Sequence, residues 1–235
     1  GVSPAKIRVI PNAAPTRSEE AVCAGERDPH LVVYVGQIIP PKGVRELLDA
    51  VALLRSRGRD IRLDIVGDID GWEPTGWVGY RAGIRARAKE PDLAGHVRFL
   101  GLREDVPAIL AGAGVHCCPS QPAQREAFGL VNLEAKLAGT PSVVTPFGAV
   151  RELIEHGVDG WIAEDGSPAA LALGLDRFVA DPAFAREAGT RARASASRFS
   201  RERFVISWLE VFGMTGGGAA GVPPGVPVRS TTHAR

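Results

Sequence analysis

Residues 125–148, REAFGLVNLEAKLAGTPSVVTPFG, decide how the chain is read. Leu130, Val131, Leu133, Leu137 and Ala138 recur at helical spacing after a small turn at Phe128-Gly129. Gly139-Thr140-Pro141 stops that helix, and Ser142-Val143-Val144-Thr145 reads as a buried strand. Two carboxylates are placed differently around the helix start. Glu126 sits in the loop before it, and Glu134, eight residues on, lies one to two turns inside. The amides of Phe128, Gly129 and Leu130 lie between them. A helix amino end with a glycine at its mouth accepts anions, because its first N–H groups have no partner within the helix. An anion bound there has a carboxylate on either side, each able to accept hydrogen bonds from hydroxyls. That combination suits a phosphate with a sugar at each end. A Glu beside a helix start also serves as a plain dipole partner, and one within a helix is commonly solvated, so the rest of the chain must choose between these roles.

Outward from this stretch, short apolar runs alternate with helical patterns. Leu31 to Val35, Ile61 to Val66, Val97 to Leu100, Val115 to Cys118 and Gly160 to Ala163 read as strands, several closed by glycine. The helix after the first strand opens at Lys42-Gly43 and buries Val44, Leu47, Leu48, Val51 and Leu54. Further helices are expected at 78–90, 105–110, 149–155, 168–180, 182–197 and 201–212. Such alternation predicts an α/β fold, a parallel sheet with helices on both faces and ligands beyond the carboxyl ends of the strands. Residues 1–29 read as a lead-in and linker, with Ile7 to Ile10 a strand or linker, and residues 30–212 as the folded domain. The Gly/Pro-rich tail, 213–235, reads as disordered.

Bulk properties exclude several classes. The chain has 235 residues, 45% hydrophobic and 23% charged, with a net charge of +1. No global field argues for nucleic acid or an acidic membrane, and no apolar run reaches the roughly 18 residues of a membrane span. Cys23 and the adjacent pair Cys117-Cys118 offer no CxxC, which fits a reducing compartment. The sequence starts at Gly1 without a signal peptide, as a fragment or processed piece would.

Other chemistries find little support. Asp68-Ile69-Asp70 imitates a DxD metal motif, but two Asp in a loop usually serve turns. The five histidines lack ligand spacing, and His116 reads as packed within a strand. Ser120 has no nucleophile elbow. Neither a G-x-G-x-x-G after the first strand nor a Walker A sequence is present. Trp72 and Trp77 lie in a loop, where such rings are packing caps as often as ligand contacts, and are not assigned to the site. Lys42, at the mouth of a helix, faces the unfavourable end of the dipole unless an anion neutralises both.

Taken in order, VIPN at 9–12, VGQIIPPKG at 35–43, LDIVGD at 63–68, VRFLGLREDVPAIL at 97–110, PS at 119–120, EAFGLVNLEAKLAGTPSVVT at 126–145 and GVDGWI at 157–162 resemble the C-terminal half of retaining glycosyltransferases of family four, the "glycosyl transferases group 1" type. The likeness runs from about residue 7 to residue 212, and the E-x7-E segment is its most specific part. It implies one Rossmann-like half of a GT-B fold. It implies that Glu126 contacts the donor sugar as the catalytic acid of the motif and that Glu134 binds ribose hydroxyls. It also implies that Phe128, Gly129 and Leu130 give amides to the phosphates, that Lys42 binds the diphosphate, and that Leu102 and Arg103 lie near the base. Gln37 replaces an Arg common in the family, so a charge-assisted bond worth roughly 1.5–3 kcal/mol is missing there. Ala127 replaces a common Gly.

The resemblance further implies a nucleotide-diphosphate-sugar as substrate, with no metal and no cofactor. The acceptor, a sugar, lipid or small molecule, would be held by an N-terminal domain absent from this sequence. It implies a cytoplasmic enzyme, peripheral at the inner membrane face when intact. The last helix, with Phe204, Trp208, Val211 and Phe212, resembles the segment that crosses to that missing domain. A sugar-nucleotide epimerase of the same fold and a non-catalytic nucleotide-sugar-binding fragment are the alternatives.

Overall fold

In a computed structural model, the structure describes residues 3, 6–14, 26–123 and 127–214. Six parallel strands form one sheet in the order β3-β2-β1-β4-β5-β6. They are β1 (Asp28–Val35), β2 (Arg62–Val66), β3 (Val97–Gly101), β4 (Ala113–Cys118), β5 (Ser142–Val144) and β6 (Gly160–Ile162). The helices are α1 (Val44–Ser56), α2 (Tyr80–Ala88), α3 (Val106–Gly112), α4 (Leu130–Leu137), α5 (Val150–Leu153), α6 (Pro168–Val179), α7 (Pro182–Ala196) and α8 (Arg201–Val211). Every strand and helix expected from residue 31 onward is present, with ends shifted by a few residues.

Successive side chains of a strand point to opposite faces, and β1 shows why both faces are covered. Val32 and Tyr34 join the core that α1, α2 and α6 close. Val33 turns the other way, into the cluster built with Leu110 and Ala111 of α3 and Ala135 of α4. Val44, Leu47, Leu48, Val51 and Leu54 have no exposed surface, so the apolar stripe of α1 is wholly spent on the sheet. The later helices start where their sequences say. Ser167 accepts from Ala170 N at 3.2 Å and Asp181 accepts from Phe184 N at 3.0 Å, each with a proline at the first turn.

Three features differ from the sequence reading or extend it. Residues 7–10 form no strand. Ile7 and Val9 are exposed, and the segment runs beside α8 instead of joining the sheet. Ala14 N donates to Phe199 O at 2.9 Å, Arg8 pairs with Glu210, and Ile10 to Asn12 share a shallow hollow with Arg203, Phe204 and Ser207. A four-residue apolar run fits a strand and a linker equally well by pattern, and here it pairs with no strand of the sheet. Helix α8 buries no residue, and Val205, Ile206, Trp208, Val211 and Phe212 are exposed. At its end Met214 N donates to Leu209 O at 2.8 Å across Gly213 in the left-handed region, so these two residues close the helix. The tail from residue 215 lies outside the described residues, as does Cys23. No helix among the described residues is long and apolar enough to cross a membrane.

Candidate nucleotide-sugar site

The strand order reverses direction at β1, which has β2 on one side and β4 on the other. At such a boundary the loops leaving the two strands diverge and open a crevice beyond their carboxyl ends. Here the loops after β1 and β4 are joined at the base of that crevice. Gln121 N donates to Pro41 O at 2.8 Å, and Gln121 Nε2 donates to Pro119 O and Gly166 O at 3.0 and 3.1 Å. Gly43 (φ 71°) sits against this join, where a Cβ would come within 1.9 Å of Pro119 O. Lys42 ends the 3-10 turn Pro40–Lys42 immediately before it.

Across the boundary, Gly129 (φ 73°) precedes α4 as its N-cap. A Cβ there would meet Asn132 Nδ2 at 2.6 Å, and the left-handed conformation is what favours glycine. No side chain caps this helix end, which leaves its first amides to other partners. Asn132 is fully buried, and neither its Oδ1 nor its Nδ2 has a hydrogen-bond partner. Leu130 is 45% exposed, whereas the Phe128 ring packs edge-on against Phe199 at 5.6 Å, anchoring the turn to the core. Glu134, one turn into α4, is half-buried, and burial raises its carboxyl above the ordinary value of 4.5. A desolvated carboxylate of this kind gains when hydroxyl donors reach it.

The far end of α4 is fixed by a buried polar cluster that the sequence reading missed. Lys136, with no exposed surface, donates to Asp159 Oδ2 at 2.5 Å and to Ser195 Oγ at 2.9 Å. Asp159 Oδ1 accepts from Glu155 N at 2.9 Å. Burial draws the lysine below its ordinary value, against the opposing pull of Asp159. The cluster ties α4 to α7 and to the loop before β6, so the helix that carries Gly129 and Glu134 is held in place from behind.

Beyond β1, β2 and β3 lies a cleft of about 570 Å3 lined by Gln37, Leu102 and Arg103, together with Gly36, Gly67, Asp68, Trp72, Trp77 and Arg81. Three of the residues expected at the site therefore meet in one cleft. Lys42, in the turn after β1, Phe128 and Gly129, just before α4, and Leu130 and Glu134, within α4, are not part of its wall. Glu126 lies outside the described residues. Arg103 is committed to Asp105 by a bidentate pair at 2.8 and 2.7 Å, and this bond holds the Asp105 carboxyl below its usual range. Asp68 serves a turn, accepting from Gly71 N at 2.7 Å and Asp70 N at 3.2 Å, and Asp70 pairs with Arg85. His116 is packed, as expected, with Nδ1 3.1 Å from Ser142 Oγ. Trp72, Trp77 and Arg81 were not expected at the site; their only signal was a tryptophan-bearing loop directly after a strand end.

The sequence model described as "Glycosyl transferases group 1" matches residues 19–195. The chain belongs to the glycosyl transferases group 1 family. This group 1 chain is 30% identical over 185 residues to the D-inositol 3-phosphate glycosyltransferase of Jonesia denitrificans, covering 79% of the chain and 43% of that protein. It is 27% identical over 185 residues to the putative glycosyltransferase EpsD of Bacillus subtilis, covering 79% and 45%. Among solved structures, Anabaena Alr3699/HepE in complex with UDP and glucose superposes with a TM-score of 0.69 at 28% identity, over 78% of this chain and 48% of that one. Sucrose-phosphate synthase (tll1590) from Thermosynechococcus elongatus gives a TM-score of 0.72 at 27% identity, over 88% and 52%. The group 1 chain thus spans about half the length of these proteins, and its α/β sheet is the Rossmann-like layer of their GT-B fold.

Proposed function

We propose that residues 30–212 form the donor-binding half of a retaining glycosyltransferase that uses a nucleotide-diphosphate-sugar. The observation that carries this reading is the uncapped amino end of α4, opened by Gly129 in the segment that follows β4, with the desolvated Glu134 one turn behind it. The complexes of Anabaena Alr3699/HepE with UDP, with UDP and glucose, and with UDP-glucose support a sugar nucleotide as the ligand. In this reading the amides of Phe128, Gly129 and Leu130 and the ammonium of Lys42 receive the diphosphate. Glu134 accepts from ribose hydroxyls, Glu126 from the donor sugar, Gln37 stands on the diphosphate side where relatives carry Arg, and Leu102 and Arg103 face the base side.

During transfer the bond between the anomeric carbon and the diphosphate oxygen breaks, and the acceptor hydroxyl oxygen forms the new bond on the same face. The acceptor proton leaves with the nucleoside diphosphate. The charge that grows on the leaving oxygen is stabilised by fixed amide dipoles and Lys42, which need no reorganisation. The acceptor, a sugar, lipid or small molecule, is held by a second domain like the other half of the longer relatives, on the cytoplasmic side and peripheral to the membrane.

Calorimetry with a panel of UDP- and GDP-sugars tests this. Micromolar binding is expected for one of them, weakened about tenfold or more by Lys42→Ala and by Glu134→Ala, and unaffected by EDTA. Equal affinities for wild type and both variants remove the site assignment.

A further inference from the structure

At the opposite end of α4 from Gly129, the helix meets α7 beside a hollow of about 560 Å3. Arg27, Arg186, Thr190 and Arg193 line it, and no carboxylate does. Small residues let the chain segments approach: a Cβ on Gly189 of α7 would come within 2.0 Å of Gly139 O. Arg27 stands just before β1 and donates to Ala113 O at the start of β4, so the hollow lies at the amino ends of the strands. The length of α4, about 12 Å, separates it from the helix end assigned to the donor.

The carboxyl end of a helix favours cations, and this explains part of the cluster. Arg27 donates to Ala138 O at 3.2 Å, besides Ala113 O at 2.9 Å and Thr140 Oγ1 at 2.8 Å. Arg193 Nε donates to Leu137 O at 2.9 Å. It does not explain three guanidinium groups around one hollow with no acid among them. Burial, and then the charge of Arg193, draw the Arg27 guanidinium below its ordinary value. Among the described residues, none of the three forms an ion pair, whereas Arg177 of α6 and Arg191 of α7 each pair with a carboxylate four residues away. Arg186 and Arg193 lie two turns apart on one face of α7, with Thr190 between them. Their N–H forks suit a tetrahedral oxyanion, which offers several acceptor oxygens and more than one negative charge. A lone carboxylate would bring one charge against three.

We propose that Arg27, Arg186 and Arg193 form a second anion site, separate from the donor site, that takes a phosphate monoester. A soluble phosphate ester and a phosphate-bearing lipid headgroup share this chemistry. The site stands whether or not the chain binds a sugar nucleotide.

The test is calorimetry of the full chain with glycerol 3-phosphate at about 0.15 M salt, where diffuse surface charge is screened. Binding is expected to weaken about tenfold or more in the double variant Arg186→Gln with Arg193→Gln, and about threefold in Arg186→Gln alone. Lys42→Ala is expected to leave it unchanged, and so is Arg57→Gln, which removes one exposed charge outside the hollow. Arg186 and Arg193 are exposed, so their replacement leaves the fold intact, and Arg27 with its three bonds is not altered. Sedimentation with phosphatidylcholine vesicles, with and without phosphatidic acid, separates the two sources. Capture that needs phosphatidic acid and is lost in the double variant assigns the lipid headgroup. Glycerol 3-phosphate binding without capture assigns a soluble ester. Equal affinity in wild type and double variant overturns the site, as does an equal loss in Arg57→Gln and Arg186→Gln. A loss confined to Lys42→Ala overturns it too and places the ester in the donor site. A chain that binds neither the ester nor the vesicles overturns it and leaves the donor-binding reading untouched.

Discussion

His116 sits in the middle of β4 with no exposed surface, and burial pushes its imidazole down to about 3. Its Nε2 has no partner, so a proton there would be an unpaired buried charge. The folded chain therefore keeps the ring neutral, while the unfolded chain binds a proton below about pH 6.5. The sign follows: the unfolded state holds more protons between about 3 and 6.5, and stability is lost as pH falls through that window. Urea unfolding at about pH 7 and pH 5 measures it. His116→Leu, which cannot titrate, is expected to gain about 2 kcal/mol on the wild type over that drop, and a constant difference between the two would contradict the assignment. The packing of His116 was legible from its place in an apolar strand. The burial of Lys136 was not. A lysine inside an apolar helix pattern looks solvated until Asp159 and Ser195 arrive from distant segments, and nothing local in the sequence brings them.

At the scale of elements, the β1–α1 and β4–α4 loops behave as one unit because Gly43 lets them touch. Gly43→Ala places a methyl carbon against Pro119 O in a backbone conformation that already disfavours side chains. Gly58 has a similar positive φ of 80° but open space around it. Gly58→Ala is thus expected to cost about 1 kcal/mol from conformation alone, and Gly43→Ala about 2 kcal/mol more. Thermal melts of the two variants separate strain from collision, and equal losses would show that the loops do not bear on one another. The elements themselves were readable, because strands buried on both faces leave apolar runs of a length that few other structures produce. Gln37, Leu102 and Arg103 line one cleft because they follow the carboxyl ends of β1 and β3. The motifs shared with the family pointed to these three residues, and topology alone gave only the rim on which they lie. Arg81 was not readable. Arginines at 81, 85 and 87 share one basic helix, and only packing shows that 81 turns to the cleft, 85 to Asp70 and 87 to Asp49 and Asp92.

At the scale of the whole molecule, α8 is a helix that buries none of its residues. Trp208 and Phe212 stack at 5.8 Å, with Trp208 42% and Phe212 67% exposed, beside Val205, Ile206 and Val211. A contiguous apolar strip of this kind associates with whatever apolar surface is available. In solution the chain by itself is expected to self-associate with rising concentration, and Trp208→Glu with Phe212→Glu to return it to monomer. Sedimentation velocity reads the outcome, and one concentration-independent species for both proteins would mean that the strip is inert. The sequence showed the strip as a helical spacing of aromatic residues, but not its neighbour, since the lead-in at 7–10 looked equally like a strand.

That neighbour has a consequence for protein engineering. Arg8 and Glu210 are bonded, so the lead-in segment and the end of α8 meet at one corner. A short peptide bridge from Met214 back to Lys6, with new termini opened elsewhere, should give a circular permutant of the described fold that keeps the same sheet order.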